Sequence, residues 1–399
     1  MTLRRQLAVS MFVQGAGAAS VLGATLLLGA SVGPEAQGGF SRTKAEIEFV
    51  AAFAMFGLPQ ALFFYLKSKR MSAKSAWRWA VGSALVSLLI AAGYAVVQHP
   101  GGEAGASTLL AFAIGFVVAH GQLRVLLLVL DRAAWFNAIT ALPQVLLLVG
   151  VAVVLAGWPV HTPVAWPLLF AAAYGLASLV AWVRVRSAAQ TRVPAASPAR
   201  WPDLARYGSA AWLSVVLTTA AILAAQRWVE GSQGAVALGR FTMAMTLVQV
   251  PLTPISYAAP LLFGRWMEQS GAHASRRLAR VLFAALLGGA AIVWLAAPWW
   301  PDLGLGPAYA GTTLALALLL AGGAAEAASR VLTVHANAGG TPWFAVQSEA
   351  GRWLVLVCGA LLVRPASLFA VCVVWAAGAW FAAGVLALRL RAIEEPARP

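Results

Sequence analysis

The sequence predicts an all-α, polytopic integral membrane protein with about twelve transmembrane helices in two six-helix lobes. Three observations predict it. The 399 residues are 61% hydrophobic and only 10% charged, with a mean hydropathy of +0.79, whereas soluble domains run near ~25% charged. Runs free of Asp, Glu, Lys and Arg recur at 6–34, 79–102, 104–123, 207–226, 241–264, 281–301, 303–325 and 365–388, and 133–183 is one such run of 51 residues. A bilayer crossing needs ~20 apolar residues, and the hydrophobicity is continuous rather than alternating, which excludes a β-barrel. Finally, the net charge of +15 is distributed by side, as the positive-inside rule demands, so it does not point to nucleic acid.

The spans follow in order. Span 1 is placed at 6–30, where Arg4 and Arg5 precede an apolar run longer than a secretory h-region; it reads as an uncleaved span. Span 2 covers 45–66, after an outer loop Ser31–Lys44, with Glu46 and Glu48 at its start, where a helix N-terminus favours negative charge. Spans 3 and 4 cover 79–98 and 107–130, separated by a Pro/Gly-rich turn. The long uncharged run divides at the turn-rich Trp158–Pro167 into span 5 (135–156) and span 6 (165–183). Spans 7 and 8 (207–229 and 241–263) flank Glu230–Arg240; span 9 (278–297) ends at Pro298–Pro301. Spans 10 and 11 (309–332 and 343–363) join through His335–Pro342, and span 12 covers 366–388.

With the N-terminus inside, the inner loops hold 20 Lys and Arg and the outer loops 4, which puts both termini in the cytoplasm. Twelve of the 17 Trp, including Trp77, Trp135, Trp228 and Trp343, fall at span ends, in the headgroup layer. Cys358 and Cys372 lie in apolar spans without metal or disulfide spacing; both read as packing residues.

The longest polar connection, Arg184–Arg206, divides the spans six and six. The expected domains are residues 1–190, a cytoplasmic linker at 191–202, and residues 203–399. Each half opens with polar residues before its first span, then a Gly-containing connection with a Phe (Gly39–Phe40; Gly239 and Phe241), then a proline-bearing span (Pro59; Pro251, Pro254 and Pro260). This is the pattern of a parallel repeat, which places a substrate path between halves. No loop is long enough for a soluble catalytic domain.

Val32–Gly39 (VGPEAQGG), Phe56–Leu62 (FGLPQAL) followed by KSKR, Leu305–Gly311 (LGPAYAG) and His335–Thr341 (HANAGGT) occur in that order. The ordered set, spread over the chain, resembles the polysaccharide-exporter branch of the multidrug/oligosaccharidyl-lipid/polysaccharide superfamily, the flippases of O-antigen and capsule repeat units. The resemblance implies two lobes rocking about a cationic cavity in the bacterial inner membrane, driven by an ion gradient. It implies as substrate a lipid-linked oligosaccharide on a polyprenyl pyrophosphate carrier, with membrane lipids and polysaccharide polymerase or assembly proteins as partners. No cofactor, no nucleic-acid partner and no enzymatic activity are expected. The chain is shorter than the family's usual members, with clipped termini and loops.

Charged groups inside a membrane usually face a cavity or a partner. Four arginines qualify: Arg124, Arg227, Arg330 and Arg352. Arg124 lies ~9 Å from the cytoplasmic end of span 4, with His120 one turn above and Asp131 two turns below. A guanidinium there suits a pyrophosphate through forked hydrogen bonds; the alternative is snorkelling to the inner headgroups. His120 reads as a proton-coupling site or as a helix–helix hydrogen bonder. Arg227 reads as an exit-side contact or an interfacial anchor. Glu326 with Arg330, and Glu349 with Arg352, read as a neutralising lock on the span 10–11 hairpin or as a gated ion site. The substrate-binding candidates are therefore Arg124, Arg227 and Arg352, the ion-coupling candidates His120, Glu326 and Glu349, and the hinge candidates Pro59, Pro251 and Pro254; no metal cluster is expected.

Two rivals remain. A drug or small-cation exporter of the same architecture would want net acidic groups in its cavity, and the intramembrane inventory is instead four Arg against Glu326 and Glu349. An enzyme acting on lipid-linked sugars would want catalytic groups in sizeable outer loops, and no phosphate loop or nucleophile constellation appears.

Overall fold

The computed structural model describes residues 3–68, 70–98, 104–130, 133–157, 164–189, 201–268, 272–363 and 367–394. They form twelve α-helices, with no strand among the described residues: α1 (Leu3–Val32), α2 (Pro34–Ala54), α3 (Leu58–Lys67), α4 (Ala73–Gln98), α5 (Ala104–Val129), α6 (Ala133–Gly157), α7 (Ala165–Ala189), α8 (Trp201–Glu268), α9 (Ala272–Ala296), α10 (Thr312–Ala338), α11 (Trp343–Leu362) and α12 (Leu368–Glu394).

Ten helices are long and apolar enough to cross a membrane, and α2 with α3 supplies an eleventh as a pair bent by 53°. One of the ten, α8, is 68 residues long and breaks at Gly234 (φ 83°). At 1.5 Å per residue it would measure about 100 Å unbroken, more than three times the ~30 Å hydrocarbon core. The pieces on either side of Gly234 are each long enough for a crossing and fall on expected spans 7 and 8; the other helices fall on the remaining expected spans.

The connections differ from expectation. No 14-residue loop separates the first two spans: Gly33 alone, at φ 94°, turns the chain, and Pro34 starts α2 at once. The polar residues expected in that loop, Glu35 to Lys44, lie on α2, where Lys44 pairs with Glu48 at 3.4 Å one turn on. The second half repeats the device 201 residues later, since Gly234 turns α8 between its two crossings. Positive φ is costly for any residue with a Cβ, so glycine is the residue these hinges require.

Packing divides the chain into two compact units. Unit 1 comprises Met1–Ala24 with Thr43–Thr219, and unit 2 comprises Thr25–Arg42 with Ala220–Pro399. The division falls inside α1, α2 and α8 and not at the polar connection; the expected linker at 191–202 lies largely outside the described residues. In unit 1, α5 packs on α4 and α7, and α6 packs on α7; in unit 2, α10 packs on α9 and α12, and α11 packs on α12. The same network of neighbours is thus built twice from equivalent spans.

Unit 1 centres on Leu62, Leu126, Leu127, Ile139, Ala181 and Val185. Unit 2 centres on Phe241, Leu252, Leu319, Val331, Val371 and Leu386. Many large apolar side chains remain exposed, such as Leu89 and Leu362, as lipid-facing helix surfaces require.

One contact in unit 2 is decisive for packing. A Cβ on Gly239 would lie 1.9 Å from the Pro34 carbonyl oxygen, and one on Gly38 would lie 3.0 Å from the Gly239 nitrogen. Both obstacles are backbone. Gly239→Ala is therefore expected to destabilise the protein by about 3 kcal/mol or more through overpacking. Gly231→Ala, which meets nothing within 4 Å, serves as the control. Thermal midpoints of the purified variants check this.

Candidate functional site

The site is built from α5 upward. Ala104–Val129 is apolar enough to cross the membrane, yet it carries His120 and Arg124 on one face, one helical turn apart. His120 is buried. Its Nε2 lies 2.9 Å from the Ile139 carbonyl oxygen on α6, and its ring meets Tyr174 of α7 edge-on at 5.4 Å. His120 thus joins three helices of unit 1, as the helix-bonding alternative requires. Arg124 follows, half-buried. Gln122, between them, donates to Ser83 Oγ of α4 at 2.6 Å. Asp131, expected on this face, lies outside the described residues.

A second buried polar set spans α1 and α6. Gln14 and Ser10 both donate to Asn137 Oδ1, at 2.5 and 2.8 Å. Helices α1 and α3–α7 contain no Asp or Glu at all.

In unit 2 the charges are internally paired. Glu326 and Arg330 on α10 form an ion pair of 2.6 Å. The same guanidinium donates to Ser256 Oγ at 2.6 Å and to Gln249 Oε1 at 2.9 Å. It therefore ties α10 to the stretch of α8 that contains Pro251 and Pro254. Arg352 on α11 is only 2% exposed; it sits 3.3 Å from Glu349 and over the Trp375 ring of α12 at 5.5 Å.

This corrects one expectation and extends another. The charges do meet across α10 and α11, since Arg352 of α11 acts electrostatically on Glu326 of α10, but they are not confined to that hairpin: both helices pack on α12 far more than on each other, and Arg330 reaches α8. Arg352, expected to touch substrate, is enclosed by α11 and α12 and presents no open face.

Arg227 is exposed on α8, and its neighbour Glu230 pairs with Arg42 at 2.6 Å. The prolines divide. Pro251 and Pro254 lie within continuous helix, whereas Pro59 occupies the first turn of α3, where its missing N–H leaves nothing unsatisfied. The bend beside it comes from Phe56 (φ 48°) and Gly57 (φ 64°). No group of three metal-ligating side chains occurs among the described residues.

A relation between the halves escaped the sequence reading. Ala119–His120, then Arg124–Val125–Leu126, matches Ala325–Glu326, then Arg330–Val331–Leu332, at a constant offset of 206. Trp135–Phe136 and Trp343–Phe344, opening α6 and α11, match at 208. Each unit thus carries a titratable group and an arginine one turn apart on equivalent helices. The signal was present in the shared Arg-Val-Leu, but His against Glu conceals it.

No family model and no curated protein sequence matches the chain. Its fold does match solved structures. The inward-facing conformation of a multidrug resistance MATE family transporter of the MOP superfamily aligns with a TM-score of 0.68 at 17% identity, over 98% of this chain and 100% of that one. The outward-facing conformation of such a transporter gives 0.68 at 18% identity, over 98% and 96%. A Vibrio cholerae MATE transporter gives 0.64 at 15% identity, over 97% of each chain. The chain therefore has the two-lobed, all-helical fold of MATE-type membrane transporters.

Proposed function

We propose that this protein is an alternating-access flippase that moves a lipid-linked oligosaccharide, on a polyprenyl pyrophosphate carrier, from the cytoplasmic to the outer leaflet of a bacterial inner membrane. The observation that carries the reading is the charge inventory of unit 1: Arg124 stands on α5, α1 and α3–α7 hold no carboxylate, and of the unit's described carboxylates, Glu46 and Glu48 on α2 and Asp203 on α8, Glu48 is paired with Lys44 and Asp203 with Arg70. Such a surface favours a diphosphate over an organic cation. Arg227, exposed on α8, is assigned to the exit side. His120 and Glu326, at equivalent places in the two halves, are the coupling candidates; Glu349 with Arg352 is assigned to internal neutralisation.

The fold likeness lends more support to a second reading, since two of the solved structures it matches are described as multidrug resistance transporters. Under that reading the substrate is a drug-sized amphiphile. Reconstitution into liposomes separates the two. The flippase reading expects transfer of a fluorescent polyprenyl diphosphate sugar and no uptake of a cationic dye such as ethidium. The reverse result establishes the exporter.

Orientation is tested in cells on a background with Cys358 and Cys372 replaced. Gly101→Cys and Asp302→Cys are expected to react with an impermeant maleimide from outside, and Ser197→Cys only after lysis. Labelling of Ser197→Cys in intact cells overturns the topology.

A further inference from the structure

We propose that Phe53, Phe56 and Trp212 form a preformed aromatic platform on the aqueous transport path, on which the sugar rings of the substrate stack. The proposal rests on the flippase reading and adds to it a site for the saccharide.

The three rings form one cluster inside unit 1. Phe53 and Phe56 have centroids 6.1 Å apart, Phe53 and Trp212 5.6 Å, and Phe56 and Trp212 5.9 Å with the last pair nearly parallel at 29°. Phe53 and Phe56 are nonetheless 41% and 45% exposed. The cluster packs against itself and still offers ring faces outward.

Its geometry is fixed by the chain break between α2 and α3. Phe56 holds φ 48°, a conformation residues with a Cβ avoid unless the surroundings impose it. What imposes it is Gly57, pressed so close to Gly208 on α8 that a Cβ would lie 2.0 Å from the Gly208 carbonyl oxygen. The Trp212 indole N–H donates to the Phe53 carbonyl oxygen at 2.9 Å, in an exposed position. The tryptophan is thereby locked to the broken backbone it covers.

Depth says what the platform faces. Phe56 lies ten residues from Leu66, the inner end of the bent pair, or about 15 Å at helical rise, near the midplane of a ~30 Å core. Irregular backbone at that depth is tolerated where protein buries it or water reaches it, and not against lipid tails. Protein covers one side of the break, where Gly57 is buried against Gly208; the other side, with the exposed rings and the exposed bond from Trp212 to the Phe53 carbonyl, is the side we assign to water.

Chemistry says what binds. A planar organic cation would need a counter-charge; α1 and α3–α7 supply none, and on the helices that carry the rings Glu48 and Asp203 already face Lys44 at 3.4 Å and Arg70 at 3.9 Å, with Glu46 two turns from Phe53 on α2. The C–H face of a pyranose needs only an aromatic face. The platform also adjoins the anion site: the Met55 methyl packs on Gly121 of α5, where a Cβ would be 2.8 Å from it, and Arg124 is one turn further along. A sugar on the rings leaves the diphosphate to Arg124.

The test uses the full chain in nanodiscs, with a polyprenyl diphosphate bearing one N-acetylhexosamine, the same carrier without sugar, and ethidium. The Phe53→Leu/Phe56→Leu variant keeps apolar bulk and is expected to bind the sugar-bearing carrier roughly tenfold more weakly, with bare-carrier affinity and thermal midpoint unchanged. Trp212→Phe, which keeps a ring, should lose less. Arg124→Ala should weaken both carriers, which separates the two sites. Equal effects of the double variant on both carriers, no effect on either, or loss of ethidium binding instead overturns the platform. A wild-type protein that binds neither carrier overturns the flippase reading and the platform with it.

Discussion

Arg124→Ala is expected to abolish surface polysaccharide while leaving the protein in the membrane at near wild-type abundance. The guanidinium is half-buried on α5, one turn below His120. Hydrogen bonds to charged groups contribute ~1.5–3 kcal/mol each, so loss of a forked pair to a diphosphate weakens substrate binding at least a hundredfold, or about 3 kcal/mol. The fold cost is smaller. His120 still ties this face to Ile139 and Tyr174, and Gln122 still ties the opposite face to Ser83. Arg124→Lys should restore export only in part, because lysine keeps the charge but loses the fork. Polysaccharide is measured at the cell surface, and abundance by immunoblot of membranes. Normal export by Arg124→Ala at normal abundance refutes the anion site.

The same helix shows what the sequence discloses and what it hides. Apolar runs in α5 and α10 announce crossings because a charge-free stretch of ~20 residues has few other uses. Polar residues on α2 conceal its helix: Glu35, Arg42 and Lys44 look like a loop until Gly33 is seen to make the whole turn. Pro59 draws attention as a kink, yet the strain sits on Phe56 and Gly57, and nothing in a sequence marks a phenylalanine with positive φ. The charge pairs on α10 and α11 are legible as pairs, since i,i+3 and i,i+4 spacing is local. Their tertiary partners are not, because the reach of Arg330 to Gln249 and Ser256 depends on how α10 lies against α8. The aromatic cluster is invisible for the same reason: Trp212 is 156 residues from Phe56 in the chain.

Arg330→Ala is expected to produce the largest loss of stability of any substitution in unit 2's polar interior. Arg330 satisfies Glu326, Ser256 and Gln249 at once, at 2.6, 2.6 and 2.9 Å. Removing it takes from the Glu326 carboxylate, only 5% exposed, its hydrogen-bonded partner and leaves it Arg352 as a more weakly coupled cation, and it releases the segment of α8 weakened by Pro251 and Pro254. Breaking a buried pair from one side costs ~3–5 kcal/mol, which for a unit of this size lowers the thermal midpoint by about 10 °C. Glu326→Gln should cost less, because the amide oxygen still accepts from Arg330 while Ser256 and Gln249 continue to hold the guanidinium. The two variants therefore separate structure from coupling. If Glu326 switches partners during transport, Glu326→Gln keeps its abundance and its export no longer responds when an ionophore collapses the ion gradient. If the cluster is a fixed tether between α10 and α8, both variants lose abundance in the order Arg330→Ala beyond Glu326→Gln, and what protein remains keeps its gradient dependence. The second outcome leaves His120, at the equivalent place in unit 1, as the coupling group to test next by His120→Gln.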